Sequence, residues 1–159
     1  MEAHRGASTR RVARRTRRRR HRPVRSTEDV RFDTRRPVTP TEKSHINFVV
    51  QHSDWEAEAA TKLESLDVVQ SYARNDHLGL LIPYDYLEID HVYEPDFIVR
   101  LRNNPHVLLE IKGYEVHHAD QVHQKHNAAQ KWVRAVNNLE AELGPWEFRV
   151  CRDLTQLEA

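Results

Sequence analysis

A chain of 159 residues has room for one compact domain and little more. Its one cysteine, Cys151, excludes a disulfide-stapled secreted fold, and no apolar run reaches the roughly 20 residues of a membrane helix. The formal charge of +1 hides a division. Residues 1–36 carry fourteen Arg against four acids, about +10, whereas the remaining 123 residues carry eleven basic and twenty acidic groups, about −9. The expectation is a soluble, cytoplasmic protein with an acidic body and a basic extension.

Residues 1–36 include Arg17-Arg18-Arg19-Arg20 and few large apolar side chains, so they are expected to stay disordered, with the domain occupying 37–159. Pro37, Pro40 and the apolar patch Ile46, Phe48, Val49 and Val50 predict an extended lead-in. Ser53-Asp54-Trp55-Glu56 has the form of a capping box, which starts a helix over 54–66 with Trp55, Ala59, Leu63 and Leu66 on its buried face. Strands are predicted over 68–73, 78–83, 92–101 and 107–112, the last two joined as an antiparallel hairpin by Arg102-Asn103-Asn104-Pro105. A long helix over 118–143 carries Val122, Ala129, Trp132, Val133, Val136, Leu139 and Leu143 on one stripe, until Gly144-Pro145 ends it. A final strand, 146–151, is then able to lie parallel to an earlier one. The predicted class is α/β, a mixed sheet flanked by helices.

Glu110 and Lys112 are two apart in a strand and share a face, although Val107, Leu108, Leu109 and Ile111 make that strand largely buried. Ionised groups enter such surroundings when they are paired or hold a metal. Asp96, on the preceding strand, supplies a second carboxylate. Two carboxylates with water and phosphate oxygens suit magnesium, and a neighbouring lysine is suited to orienting a water or offsetting charge in phosphoryl transfer. The alternative is a structural ion pair in which Lys112 only neutralises a carboxylate.

Pro95-Asp96 with Glu110-Ile111-Lys112 resembles the PD-(D/E)xK nuclease motif, and the predicted element order αβββαβ resembles the restriction-endonuclease-like core. A closer resemblance is to the C-terminal endonuclease domain of type III restriction enzyme Res subunits. It is carried over about 37–152 by Ser44-His45, Asp54-Trp55-Glu56, Tyr72-Ala73-Arg74-Asn75, Ile82-Pro83-Tyr84, Tyr93-Glu94-Pro95-Asp96-Phe97, Leu109-Glu110-Ile111-Lys112-Gly113 and Trp132-Val133-Arg134-Ala135-Val136-Asn137. The resemblance implies magnesium-dependent cutting of double-stranded DNA, with Asp96, Glu110, Lys112 and Glu56 catalytic and Asp96, Glu110, Ile111 and Glu56 around the metal. It also implies a helicase or ATPase motor and a DNA methyltransferase as partners. The chain has no Walker-type glycine loop, so such a motor would be a separate part. Two other readings stand beside it: a catalytically silent DNA-binding or partner-docking remnant, and a structure-specific DNA repair or recombination nuclease.

Several residues carry two readings. Glu56 is either the acid of the capping box or a further ligand reaching inward from the first helix. Lys125, in the middle of the apolar stripe, either snorkels to solvent or contacts DNA phosphate near the site. His117, His118, His123 and His126 lack the cysteines and spacing of an ordinary structural zinc site and are expected to be solvated. Trp55 and Trp132 are expected in the core. The arginine run is either a phosphate-binding tail or an extension without a role.

Overall fold

The computed structural model describes residues 10–13, 26–103, 105–111, 119–139 and 144–153. In chain order the elements are β1 (Arg10–Ala13), β2 (Arg31–Thr34), β3 (Val38–Pro40), β4 (Phe48–Val50), α1 (Asp54–Ser65), β5 (Val69–Arg74), β6 (Ile82–Tyr86) and β7 (Ile89–Tyr93). Then follow β8 (Phe97–Leu101), β9 (His106–Ile111), α2 (Ala119–Leu139) and β10 (Trp146–Cys151). A mixed four-stranded sheet in the order β10-β9-β8-β5 forms the centre, and three two-stranded sheets surround it. β5 with β8 and β8 with β9 pair antiparallel. β10 returns through α2 to lie parallel to β9. The class is therefore α/β.

Side-chain alternation along β9 builds the two layers. Val107 and Leu109 enter one apolar cluster with Ala59, Ala60 and Leu63 of α1, whereas Leu108 enters another with Ala128, Ala129 and Val133 of α2. Each helix thus covers its own face of the sheet. α1 starts as its sequence directs, with the Ser53 hydroxyl accepting the Glu56 amide at 3.3 Å. Among the described residues no helix is long and apolar enough to cross a membrane.

The free edge of β5 is covered by residues 43–45, which exchange main-chain hydrogen bonds with Tyr72. Glu64 of α1 fixes this strap: its carboxylate accepts the amides of Glu42 and Lys43 and, at 2.8 Å, the Tyr72 hydroxyl. Burial and the Glu64 charge push the Tyr72 hydroxyl well above the usual phenol range, so it stays a donor.

Four expectations are corrected. Residues 92–101 are not one strand: the chain breaks at 94–96, and β7 pairs with β6 as a separate hairpin. The strand expected at 78–83 begins only at Ile82. The hairpin turns at Leu87 and Glu88, both left-handed (φ 52° and 61°), without the glycine or asparagine that usually marks such a turn. Trp55 is 44% exposed and Leu139 82% exposed, because α1 and α2 each bury a narrower stripe than the apolar residues of their sequences suggest.

The fourth correction concerns the disordered extension, 1–36. Its described part includes Val30, which is 2% exposed and joins Ile46 and Val50 in a third cluster packed by Phe32, Val38 and Phe48. Two apolar residues suffice because the cluster's other half comes from the lead-in strands. Burying a valine contributes about 1.5 to 3 kcal/mol. A chain starting at Pro37 should therefore melt several degrees below one starting at Ser26. Coincident melting curves from calorimetry would show that Val30 and Phe32 contribute nothing.

Candidate active site

β8 and β9 pair Phe97 with Leu109, so the next position outward sets Asp96 beside Glu110. Asp96 stands on the bend just before β8 and is tied at both ends. Its carbonyl accepts the Asn75 amide at 2.9 Å, and its Oδ2 accepts the Ile111 amide at 2.7 Å. Asn75 in turn locks the loop after β5, donating to the Leu80 carbonyl and accepting the Leu80 amide. Asp96 is therefore held from both sides, its carbonyl by the chain after β5 and its carboxylate by β9.

Glu110 is 5% exposed, two residues beyond Leu108 on the face that α2 covers. Its Oε2 accepts the Tyr93 hydroxyl at 2.7 Å, and its Oε1 lies 3.6 Å from the Lys125 ammonium. Lys125 also lies over the Tyr93 ring, 4.9 Å from its centroid. Its stem comes from α2, so the mid-stripe lysine leans to the sheet as its spacing suggests.

Burial first, then the Glu110 charge, raises the Asp96 carboxyl from 3.8 to about 6. The Ile111 amide and Arg74 pull the other way without cancelling this. Burial and Glu110 drive the Tyr93 hydroxyl far above the phenol range, so it remains a protonated donor. The raised Asp96 carboxyl shows that Arg74 and the Ile111 amide do not offset its burial and its acidic neighbour. Such a pair suits a divalent cation, and magnesium commonly takes one or two carboxylates with water and phosphate completing its shell.

Glu56 is not gathered into this pair. α1 covers the opposite face of the sheet, and there the Glu56 carboxylate meets the Arg74 guanidinium at 3.0 Å, with Arg74 10% exposed and set over the Phe97 ring. Its charge still reaches Asp96 and contributes to the raised carboxyl. The Ser53 half of the capping box is present, since the Ser53 hydroxyl accepts the Glu56 amide, while the Glu56 side chain turns to Arg74. Ile111 presents its amide to Asp96, so its main chain supports the pair. Among the described residues no group of three or more His, Cys, Asp or Glu could hold a metal ion.

Lys112, His117 and His118 lie outside the described residues. His123 bonds Asn127 at 3.1 Å and His126 packs on the Phe148 ring. A recess of about 720 Å3 lies elsewhere: α1 and the ends of β9 and β10 line it with Trp55, Lys62, Ile111 and Arg152. The carboxylates are preferred as the site because two acids stand side by side there with Asp96 pushed up to about 6, which no group lining the recess matches.

Tyr93, Arg74 and Asn75 stood in the sequence only within the phrases that carry the resemblance, without an assigned role, although a buried tyrosine hydroxyl needs an acceptor and thus points to a nearby acid. No family profile, curated protein or solved structure matches this chain.

Proposed function

We propose that this chain is a magnesium-dependent DNA endonuclease domain of the PD-(D/E)xK kind. The observation that carries the reading is the pairing of part-buried Asp96 with buried Glu110, with Asp96 pushed up to about 6, at the open end of the β8–β9 hairpin. The order α1, β5, β8, β9, α2, β10 agrees with the αβββαβ restriction-endonuclease-like core, with β6–β7 as an insertion. The resemblance to the endonuclease domain of type III Res subunits makes duplex DNA the substrate, and a motor and a methyltransferase the partners.

Asp96 and Glu110 would hold the ion, which when bound polarises a phosphoryl oxygen and lowers the pKa of a water. The chain's own groups then do the rest. The Ile111 amide fixes Asp96 and the Tyr93 hydroxyl fixes Glu110, so neither carboxylate must reorganise. Lys125 stands at the rim, where an ammonium stabilises phosphate charge. Lys112, the lysine of the motif, is assigned to the attacking water. Hydrolysis forms one P–O bond to that water and breaks one P–O bond of the diester, with a proton passing from the water to the departing oxygen.

The catalytically silent remnant is favoured by one observation: Tyr93 and Lys125 already engage Glu110, and Arg74 engages Glu56. Incubating the full chain with linear and supercoiled duplex DNA, with magnesium or with EDTA, separates the two. The nuclease reading expects 5′-phosphate ends only with magnesium. Duplex binding without any cutting, at all magnesium concentrations, would leave the silent remnant.

A further inference from the structure

The described chain holds two buried tyrosines whose hydroxyls donate to a carboxylate. Tyr72 bonds Glu64 at 2.8 Å and Tyr93 bonds Glu110 at 2.7 Å. The first pair ties α1 to the strap at the β5 edge, where Glu64 also accepts two main-chain amides, so it has an evident structural task. The second pair lies at the candidate site instead, beside Asp96 and Lys125. Tyr93 is 1% exposed at the end of β7, already packed among Ile82, Leu108, Ala129 and Val133, with Phe148 edge-on at 6.3 Å. Its ring alone accounts for that packing, yet its hydroxyl reaches the one acid of β9.

We propose that Tyr93 is a positioning residue of the candidate site. Its hydroxyl holds Glu110 through Oε2, and its ring face seats the Lys125 ammonium beside Oε1, so one side chain fixes both the acid and its cationic neighbour. The β6–β7 hairpin thereby acquires a role: β7 carries Tyr93 to the α2 side of the sheet, only three residues before Asp96. Orientation of this kind matters because a carboxylate fixed by an outer partner does not lose rotational freedom on taking up a metal, and removing such partners commonly weakens metal binding by about 10- to 100-fold.

This inference rests on the nuclease reading, and its test separates the two. Magnesium binding to the full chain is measured by calorimetry without DNA, and cutting is measured as a function of magnesium, for wild type, Tyr93→Phe and Tyr72→Phe. Tyr93→Phe keeps the ring, so the Lys125 seat and the Phe148 contact survive. It is expected to weaken magnesium binding by roughly tenfold or more and to raise the magnesium midpoint of cutting equally, with kcat at saturating metal reduced less. Tyr72→Phe loses a hydrogen bond of the same type remote from the site. It should lower the melting temperature while leaving the magnesium midpoint unmoved. Equal midpoints for Tyr93→Phe and wild type would overturn the positioning role alone, and equal shifts in both variants would do so too by reducing the effect to general loosening. A wild-type chain that neither binds magnesium nor cuts would remove the nuclease reading and this role together.

Discussion

Asp96→Asn is expected to abolish magnesium-dependent cutting and, without metal, to make the protein more stable. The first effect follows from removing one of two charges around the ion. Losing about 4 kcal/mol of transition-state stabilisation slows the reaction about a thousandfold. The second follows from the raised Asp96 carboxyl. Between pH 3.8 and about 6 the folded chain keeps a proton there that the unfolded chain has released. Stability from this group therefore falls as pH rises through that window, and the penalty is complete above it. The shift of about two units, trimmed for solvent reaching a partly exposed carboxyl, corresponds to about 2 kcal/mol.

Asparagine carries no charge, and its side-chain oxygen still accepts the Ile111 amide, so the penalty vanishes while the hydrogen bond remains. In EDTA at pH 8 the variant should melt several degrees above wild type, and at pH 4 the two should coincide. Magnesium at pH 8 should raise the wild-type melting temperature and leave the variant's unchanged, since the ion binds only the native pair of charges. A wild type stabilised by magnesium no more than Asp96→Asn would mean that Asp96 holds no ion. Lower stability of the variant at pH 8 without metal would mean that the crowding of Asp96 and Glu110 is already relieved by Lys125 and Arg74.

The parts of the fold set by local rules were legible in the residues. Ser53 capped α1 where its hydroxyl could reach the third amide, Gly144-Pro145 preceded β10, and the 102–105 connection joined antiparallel neighbours. Glu110 was legible as a candidate because an acid among aliphatics needs a partner, and Asp96 because the hairpin set a second carboxylate on the neighbouring strand. What escaped depended on contacts across the chain. The turn at Leu87 and Glu88 has no residue that favours left-handed backbone, so β6–β7 left no punctuation and its second strand merged with β8. Glu56 faces inward as its helical position suggests, but which face of the sheet α1 would cover was not written in its own sequence. Val30 and Phe32 sat in a segment whose average composition is that of a disordered tail. Their burial depends on Ile46 and Val50, a partnership no local window contains.

The arginine-rich segment should dominate duplex binding, and salt should remove most of that binding. Residues 1–25 hold eleven Arg and one acid, whereas 26–36 balance three Arg with three acids, so the whole positive excess precedes Ser26. A chain starting at Ser26 thus keeps the Val30 cluster, loses β1, and carries about −9, a charge that opposes the approach of DNA. Lys125 is too engaged with Glu110 to offset this alone. If the segment neutralises 6 to 10 phosphates, the full chain's affinity for duplex DNA should fall by about 10³- to 10⁵-fold between 50 and 200 mM salt, without dependence on sequence. The shortened chain should bind weakly throughout, with a slope near zero. Fluorescence anisotropy with a labelled duplex, titrated at four salt concentrations, measures both. Equal slopes for the two chains would place the phosphate contacts on the body, and the charge of the first 25 residues would then be irrelevant to how this domain meets DNA.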